Sequence, residues 1–440
     1  MKNHSIFLQG DRCLGCTSCI KSCPTGAIRV RHRKATILSE RCIDCGKCMQ
    51  VCPYNAFRPL TDTMDRLSSF RYTVALPESA LFGQFHNLKD PNIVLGALLK
   101  LGFDDVFEVS AAAELMSRLA RQYRVPGVTH APRITSACPT VLRIICLRFP
   151  KLIPHVESLL LPMELAARLA REEAVKKTGL SPEEIGIFAI VPCTAKATAA
   201  RFPLCLNEPV IDGTLSVSDM YLKLLPLMKE VAADPPSLSR SGSAGFAWGY
   251  CGGESSARGE KNYLAVDGID QVIRILEDIE DERLPDVDFV ELSACVQGCM
   301  GGCLNVENPF SAKMRLARMA SGLPKFVTDP ELTPQLLQAC RFEREPEFIP
   351  ALQLDADRGA AMEKLFRIDR LAQSLPGLDC SSCGAPSCRA LAEDVILGRA
   401  SPDDCIFRVR EKVDSEGDLG DGYLPAPFRH RETDRRGDDT

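Results

Sequence analysis

Apolar and polar positions along the chain follow two rhythms. Ile185 to Val191 and Phe289 to Leu292 are short unbroken apolar runs, as expected of strands buried on both faces. Between such runs the apolar residues recur at three- and four-residue intervals. Ile93, Val94, Ala97, Leu98 and Leu101 give one helical face, opened by Asp90 and Pro91 and stopped by Gly102. Asp105 to Val109 then predicts a strand, and Ser110 predicts the cap of a helix from Ala111 to Arg121. Pro162 opens a helix that Gly179 follows, and Ile269, Val272, Ile273 and Leu276 line one face of a helix predicted over Asp267 to Ile279. Helices and strands in alternation predict an α/β fold with mostly parallel pairing.

The pattern breaks at both ends and so suggests domains. Residues 1–59 are expected to form a small domain, 60–345 the large α/β domain, 346–371 a connecting segment and 372–411 a second small domain. Residues 412–440 are charged and rich in Asp, Arg and Gly, a composition that does not favour packing. Within the first domain, Ala27 to Leu38 reads as a hairpin with a basic tip at Arg31, His32, Arg33 and Lys34. A solvated turn explains that tip more simply than a docking site for an acidic electron carrier.

Bulk properties narrow the function. The 440 residues are enough for two or three domains, and 45% hydrophobic content is ordinary for a globular protein. A net charge of −5 gives no reason to expect nucleic acid or an anionic membrane as a partner. No apolar run approaches the roughly 18 residues of a membrane span. Met1 to Gly10 lacks the apolar core of a signal peptide. The 21 cysteines come in tight groups with two- and three-residue gaps, which favours metal over disulfides. A reducing, cytoplasmic setting is the expectation that follows.

Two of these groups repeat one another. Cys13-x2-Cys16-x2-Cys19-x3-Cys23-Pro24 is followed by Cys42-x2-Cys45-x2-Cys48-x3-Cys52-Pro53. The doubled run resembles a bacterial two-cluster ferredoxin, in which the fourth cysteine of each run ligates the other cluster. That resemblance assigns Cys13, Cys16, Cys19 and Cys52 to one 4Fe–4S cluster and Cys42, Cys45, Cys48 and Cys23 to a second. Doubling of the whole run argues against zinc. Near the other end, Cys380-x2-Cys383-Gly384-x3-Cys388-x16-Cys405 has cluster spacing, with a helix predicted from Ala390 to Leu397 before Gly398. It resembles the small 4Fe–4S domain of CO dehydrogenase/acetyl-CoA synthase subunits, with structural zinc as the alternative.

The large domain carries three further stretches. They are Thr135-Ser136-Ala137-Cys138-Pro139, Val191-Pro192-Cys193-Thr194-Ala195-Lys196 and Cys295-Val296-Gln297-Gly298-Cys299. Each stands where a strand is expected to end, and helical periodicity follows the first and third. Strand ends are where an α/β sheet presents ligands. These stretches resemble the signature loops of FeFe hydrogenases, which read T-S-C-C-P, M-P-C-x-x-K and E-x-M-A-C-x-x-G-C. The Leu101 to Glu108 segment and Gly249-Tyr250-Cys251-Gly252-Gly253 resemble further family segments, so the likeness runs from about Arg71 to Leu323.

The resemblance implies two small parallel sheets clasping an H-cluster, a 4Fe–4S cube bridged by one cysteine to a two-iron unit with CO and cyanide. By position, Cys138, Cys193, Cys295 and Cys299 would hold the cube, Cys299 would bridge, and Lys196 would lie beside a cyanide. Gly252 and Gly253 would approach the cofactor, with Cys251 a spare thiol near it. Implied partners are dihydrogen and protons, an electron-carrier or signalling protein, and hydrogenase maturation proteins. Of the remaining cysteines, Cys146 fits core packing and Cys303 continues the spacing of the third stretch, while Cys205 and Cys340 suggest no role.

The sequence departs from the family where protons move. The first of the two adjacent cysteines in the family's first loop exchanges a proton with the two-iron unit; here that position is Ala137, which cannot titrate. Val191 and Ser293 replace the methionines of the other two loops. The pattern resembles the sensory branch of the family. Three functions stay open at this point: a slow, regulatory dihydrogen sensor, a ferredoxin-linked hydrogenase with a rerouted proton path, and an electron-transfer protein that lacks the two-iron unit.

Overall fold

The structure, a computed structural model, describes residues 4–123, 128, 130–327, 332–351 and 353–415. The chain divides into two compact units. One comprises the residues up to Cys13 and Leu38–Ala351; the other comprises Leu14–Ile37 and the described residues after 352. The strands are β1 (Ile6–Leu8), β2 (Ile28–Arg31), β3 (Lys34–Ile37), β4 (Phe57–Pro59), β5 (Tyr72–Pro77), β6 (Asp105–Val106), β7 (Arg133–Ile134), β8 (Ile185–Val191), β9 (Gly213–Ser216), β10 (Tyr263–Asp267) and β11 (Phe289–Ser293).

The first unit contains two parallel sheets. Four strands run in the order β6-β5-β8-β9 and three in the order β10-β11-β7. All seven residues of β8 are buried, which is why Ile185 to Val191 reads as an unbroken apolar run. Phe188, at the middle of β8, sits edge-on to Phe70 and Phe103. Gly186 and Gly213 leave room for these rings, since a Cβ at Gly186 would stand 2.6 Å from Phe70 and one at Gly213 2.5 Å from Phe188. Truncating so buried a ring to Ala typically costs about 3–5 kcal/mol. Antiparallel β1 and β4 form a further two-stranded sheet in this unit.

Several local expectations shift. Asp105 starts β6, but the strand ends at Val106; the helix begins at Val109 and is capped by Glu108, not Ser110. Ser110 instead pairs with Ser241, Oγ to Oγ, at 2.7 Å. Asp267 ends a strand and the helix starts at Ile269, because Gly268 at φ 84° turns the chain between them. Helix Pro139–Arg148 follows the first cysteine loop. The third loop leads into a short 3-10 turn, Gly298–Gly301, with no helix until Pro309–Ala320. It is the second loop that runs straight into a helix, Thr194–Arg201, which its small and polar residues did not announce.

In the second unit, β2 and β3 form the expected antiparallel hairpin, with the tip residues His32 and Arg33 at positive φ. Helices Arg358–Gln373 and Cys388–Ile396 share a small core with Ile368, Leu375, Ala390, Leu391 and Cys405. The hairpin is tied to this core. Val30 N–H donates to the Gly384 carbonyl at 2.9 Å, and Arg31 donates to the Cys383 carbonyl. Arg29 Nε donates to Asp394 Oδ2 at 2.6 Å, with only 5% of each side chain exposed. Helix Ile406–Ser415 extends into the segment expected as a tail, and residues 416–440 lie outside the described residues.

Candidate iron–sulfur centre

Parallel strands direct their carboxyl ends to one place. β5 ends at Pro77 before Glu78, β7 at Ile134 before Ala137 and Cys138, β8 at Val191 before Cys193, and β11 at Ser293 before Cys295. A cavity of about 60 Å³ lies there, lined by Cys138, Cys193, Cys295, Cys299, Lys196 and Ala137. Glu78, Glu254, Glu291, Ser293, Trp248 and Gly249 complete much of its wall. Sequence reasoning thus named seven residues that the fold brings together, the four cysteines, Lys196, Ala137 and Ser293, whereas Val191 is not among the lining residues. Gly252, Gly253 and Cys251 are not among the lining residues, and their place on the wall is taken by Trp248 and Gly249.

Helix starts and backbone hydrogen bonds position the loops. Cys138 and Cys193 each precede the first residue of a helix. In the third loop, Gly298 N–H donates to the Cys295 carbonyl at 3.0 Å, and Gly298 is at φ 67°. A Cβ there would meet the Cys251 backbone nitrogen at 2.8 Å, so glycine is required twice over. Leu304 N–H donates to the Pro192 carbonyl at 2.9 Å and locks the third loop to the second.

The electrostatics of the cavity are unusual. Burial pushes the Cys193 and Cys295 thiols well up, and the charges of neighbouring cysteines push the same way. Cys299 is raised by burial to about 11, against the pull of Lys196. Four thiols gathered this way from three loops suit a cluster whose iron replaces their protons. Among the described residues, no three His, Cys, Asp or Glu side chains stand close enough to hold a single metal ion. A cube is wider than an ion, so its ligands stand further apart. Four cysteine sulfurs lining one cavity are the donor set that a 4Fe–4S cube takes.

Sequence reasoning missed the acidic groups. Lys196 Nζ donates to Glu78 Oε1 at 2.6 Å, both side chains nearly fully buried. Burial works to lower the Lys196 pKa, but the charges of Cys299 and Glu78 outweigh it and hold the ammonium protonated. Glu254 accepts from Thr135 Oγ1 at 2.7 Å and from Arg258 at 2.9 Å. Arg258 also grips Glu157 with both guanidinium nitrogens at 2.6 and 2.8 Å. Arg133 continues the chain, donating to Glu157 and to Glu260, and is itself 24% exposed. A chain of charged groups therefore runs from the cavity wall to solvent. Burial raises Glu254 to about 7, opposed by Arg258 and reinforced by Glu291. Glu291 is also raised by burial, although it accepts from Gly252 N–H and from the Ser255 amide and hydroxyl.

The doubled cysteine runs share one backbone. Gly15 and Asp44, before the second cysteine of each run, are both left-handed, as are Thr17 and Gly46 after it. Cys23 Sγ accepts from Ala27 N–H at 3.2 Å, and Cys52 Sγ accepts from Ala56 N–H at 3.3 Å. Cys13, Cys42, Cys45, Cys48 and Cys52 fall in the first unit, and Cys16, Cys19 and Cys23 in the second. In the second unit Cys380, Cys383, Cys388 and Cys405 line one small cavity with Leu378, Leu391 and Ile406. Cys146, Cys205 and Cys340 are buried.

Known proteins match in the same places. Residues 72–244 match the family described as iron only hydrogenase large subunit, C-terminal domain. Residues 5–53 match a 4Fe-4S dicluster domain, and 375–407 an Fe-S cluster family. The periplasmic [Fe] hydrogenase large subunit of Nitratidesulfovibrio vulgaris is 26% identical over 298 residues, 61% of this chain and 70% of that protein. Over the large domain the chain is similar to the FeFe hydrogenases. Iron hydrogenase 1 of Clostridium pasteurianum is 24% identical over 38% of this chain and 31% of its own length. A cytosolic Fe-S cluster assembly factor, nar1 of Aspergillus clavatus, is 29% identical over 27% of this chain and 19% of its own. An apo FeFe-hydrogenase structure from Chlamydomonas reinhardtii aligns at TM-score 0.46 and 15% identity over 63% of this chain and 95% of that one. The hydrogenase-like match 72–244 contains Ala137, Cys138, Cys193 and Lys196 but ends before Cys295 and Cys299. No helix among the described residues is long and apolar enough to cross a membrane.

Proposed function

We propose that this hydrogenase-like iron–sulfur protein binds dihydrogen at an H-cluster in the central cavity and turns it over slowly, as a sensory or regulatory form would. Cys138, Cys193, Cys295 and Cys299 would hold the cube, Cys299 would bridge to the two-iron unit, and Lys196 would meet its cyanide. When bound, that group supplies the iron site at which dihydrogen is split or formed. The cysteine sets of the two runs and of Cys380–Cys405 would hold three more 4Fe–4S clusters and carry electrons to or from a protein partner.

The observation that carries the reading is Ala137, a methyl group on the cavity wall beside Cys138. A proton leaving the cavity finds no thiol there, and Cys251 is not part of the lining. The carboxyls at the wall are Glu78, which is paired with Lys196, and Glu254 and Glu291, with Glu254 linked through Arg258 and Glu157 toward solvent. This supports slow rather than absent turnover, because a carboxyl route exists but is interrupted by guanidinium groups that do not deprotonate. The test is infrared spectroscopy of the anaerobically matured protein, read together with hydrogen uptake. Iron-bound CO and cyanide bands with low uptake are expected. Bands with fast uptake would overturn the slow, sensory part of the reading and favour a rerouted catalyst.

One observation favours a second reading, in which the two-iron unit is never inserted. Lys196 already has a buried carboxylate partner in Glu78, so the cavity does not need an anionic ligand to balance it. The resemblance to assembly factors points the same way. Matured protein with a full cube and no CO or cyanide bands would establish it.

A further inference from the structure

One hydrogen-bonded chain joins the loops of two cysteine sets. Thr194, next to Cys193, donates its hydroxyl proton to the carbonyl of Asp44, next to Cys45, at 2.9 Å. Cys303 Sγ lies 3.8 Å from the same Thr194 Oγ1. Thr194 has one hydroxyl proton and has given it to Asp44, so the Cys303 thiol is the donor in that contact. The direction runs from Cys303 to Thr194 to Asp44.

The packing around this chain is tight. A Cβ at Gly46, between Cys45 and Cys48, would stand 2.4 Å from Cys303 Sγ. Cys45, Cys295 and Cys303 border one groove. The Asp44 carboxylate accepts from Ser5 N–H at 2.9 Å and from Thr198 Oγ1 at 3.0 Å, and it lies 3.5 Å from Arg143. Thr198 belongs to the helix that starts after Cys193, and Arg143 to the helix that starts after Cys138. The second cysteine run is thus fastened to two of the three central loops.

We propose that the Cys303–Thr194–Asp44 chain couples the central cube electrically to the cluster of the second cysteine run. This rests on both cysteine sets holding clusters. One electron leaves one cluster as the other gains it, and the charge that moves is felt along a line of aligned dipoles. Hydrogen bonds near cluster sulfurs set reduction potentials, and bonds in series polarise one another. Thr194 and Cys303 are positioning residues here, acting through the ligands beside them. Breaking the chain at either residue shifts the potentials of both clusters together.

The test uses the full chain reconstituted with iron and sulfide, followed by iron analysis and a redox titration monitored by electron paramagnetic resonance. Thr194→Val keeps the shape of threonine but loses the hydroxyl, and Cys303→Ala loses the thiol donor. Both variants are expected to retain full iron and to shift the midpoints of the central cube and the second-run cluster, leaving the Cys380–Cys405 cluster unmoved. Thr194→Ser and Cys303→Ser keep a donor and are expected to restore the parent midpoints. Full iron with unchanged midpoints in both loss variants overturns the coupling alone. A shift that the serine variants fail to reverse also overturns it, since packing would then be the cause. Parent protein that takes up no iron at these sets overturns the cluster reading on which the coupling rests.

Discussion

Lys196 and Glu78 form a 2.6 Å ion pair in which 6% and 5% of the side chains are exposed. Their strands' ends bring them together, since Glu78 follows β5 and Lys196 lies one helical turn beyond β8. Removing one partner from a buried pair leaves the other charge uncompensated, at a typical cost of about 3–5 kcal/mol. Glu78→Ala should therefore destabilise the cluster-free protein by that order, read by urea denaturation. Glu78→Gln should cost less, because an amide oxygen can still accept from the ammonium. A Glu78→Ala loss below about 1 kcal/mol would show that Lys196 finds another partner, with Cys299 the nearest candidate.

The carboxyl of Glu254, raised to about 7, makes stability depend on pH. The folded state holds the proton more tightly than the unfolded chain, so this contribution is complete below the ordinary value of 4.5 and is lost as pH rises to about 7. Glu108 and Glu164, also raised to about 7 by burial, act in the same window. The informative quantity is the difference between parent and Glu254→Gln. That variant should lose part of the fall in unfolding free energy between pH 4.5 and 7. Isotope-edited infrared spectroscopy should show the carbonyl stretch of a protonated carboxylic acid in the parent at pH 6 and a weaker one in the variant. Equal spectra would mean that the proton resides elsewhere, with Glu291 the first alternative.

Much of the central site could be read from the sequence because its three loops resemble the FeFe-hydrogenase signature stretches; spacing alone does not join Cys193 to the other cysteines. Ile185 to Val191 is buried on both faces and announces β8; the loop after it can hardly lie anywhere but at the sheet's carboxyl edge. Glu78 and Glu254 could not be read in the same way. Each is a single acidic residue with no motif around it, and only the fold reveals that both are buried. β10 was hidden for a different reason. Tyr263, Leu264, Ala265, Val266 and Asp267 form a short edge strand, partly exposed, that pairs on one side only and merges with the helical pattern of Ile269 onward. The doubled cysteine run was legible as a repeat, but Arg31 looked like part of a solvated basic tip and Arg29 suggested no role. Their partner Asp394 lies hundreds of residues away, at a separation no local pattern carries.

Arg29 and Asp394 give a test within the second unit. The two are nearly fully buried, and Asp394 also accepts from Arg31 at 3.1 Å. Asp394→Ala should release both arginines and loosen the hairpin β2–β3 from the core that holds Cys383 and Cys388. Amide exchange at Val30, whose N–H donates to the Gly384 carbonyl, should accelerate. Unchanged protection at Val30 would show that the backbone bonds alone hold the hairpin.

Ala137 and Cys251 separate the accounts of proton movement. If the missing thiol limits turnover, Ala137→Cys in matured protein should raise hydrogen uptake by up to the order of 10²–10⁴-fold typical of a positioned acid–base group. The gain will be smaller if proton transfer beyond the cavity is also slow. Cys251→Ala should leave uptake unchanged, because Cys251 is not on the cavity wall and its thiol is pushed by burial, with Glu291 and Asp267 adding to the effect, to about 12. Glu254→Gln should lower the residual uptake, since it removes a carboxyl from the wall while keeping an acceptor for Thr135. Infrared bands retained in all three variants would show that the cofactor is in place and that the differences lie in proton movement. A collapse of uptake in Cys251→Ala would instead make that thiol the shuttle and defeat the explanation based on Ala137. Equal, slow uptake in all three would place the limit outside the cavity, in electron exchange with the partner.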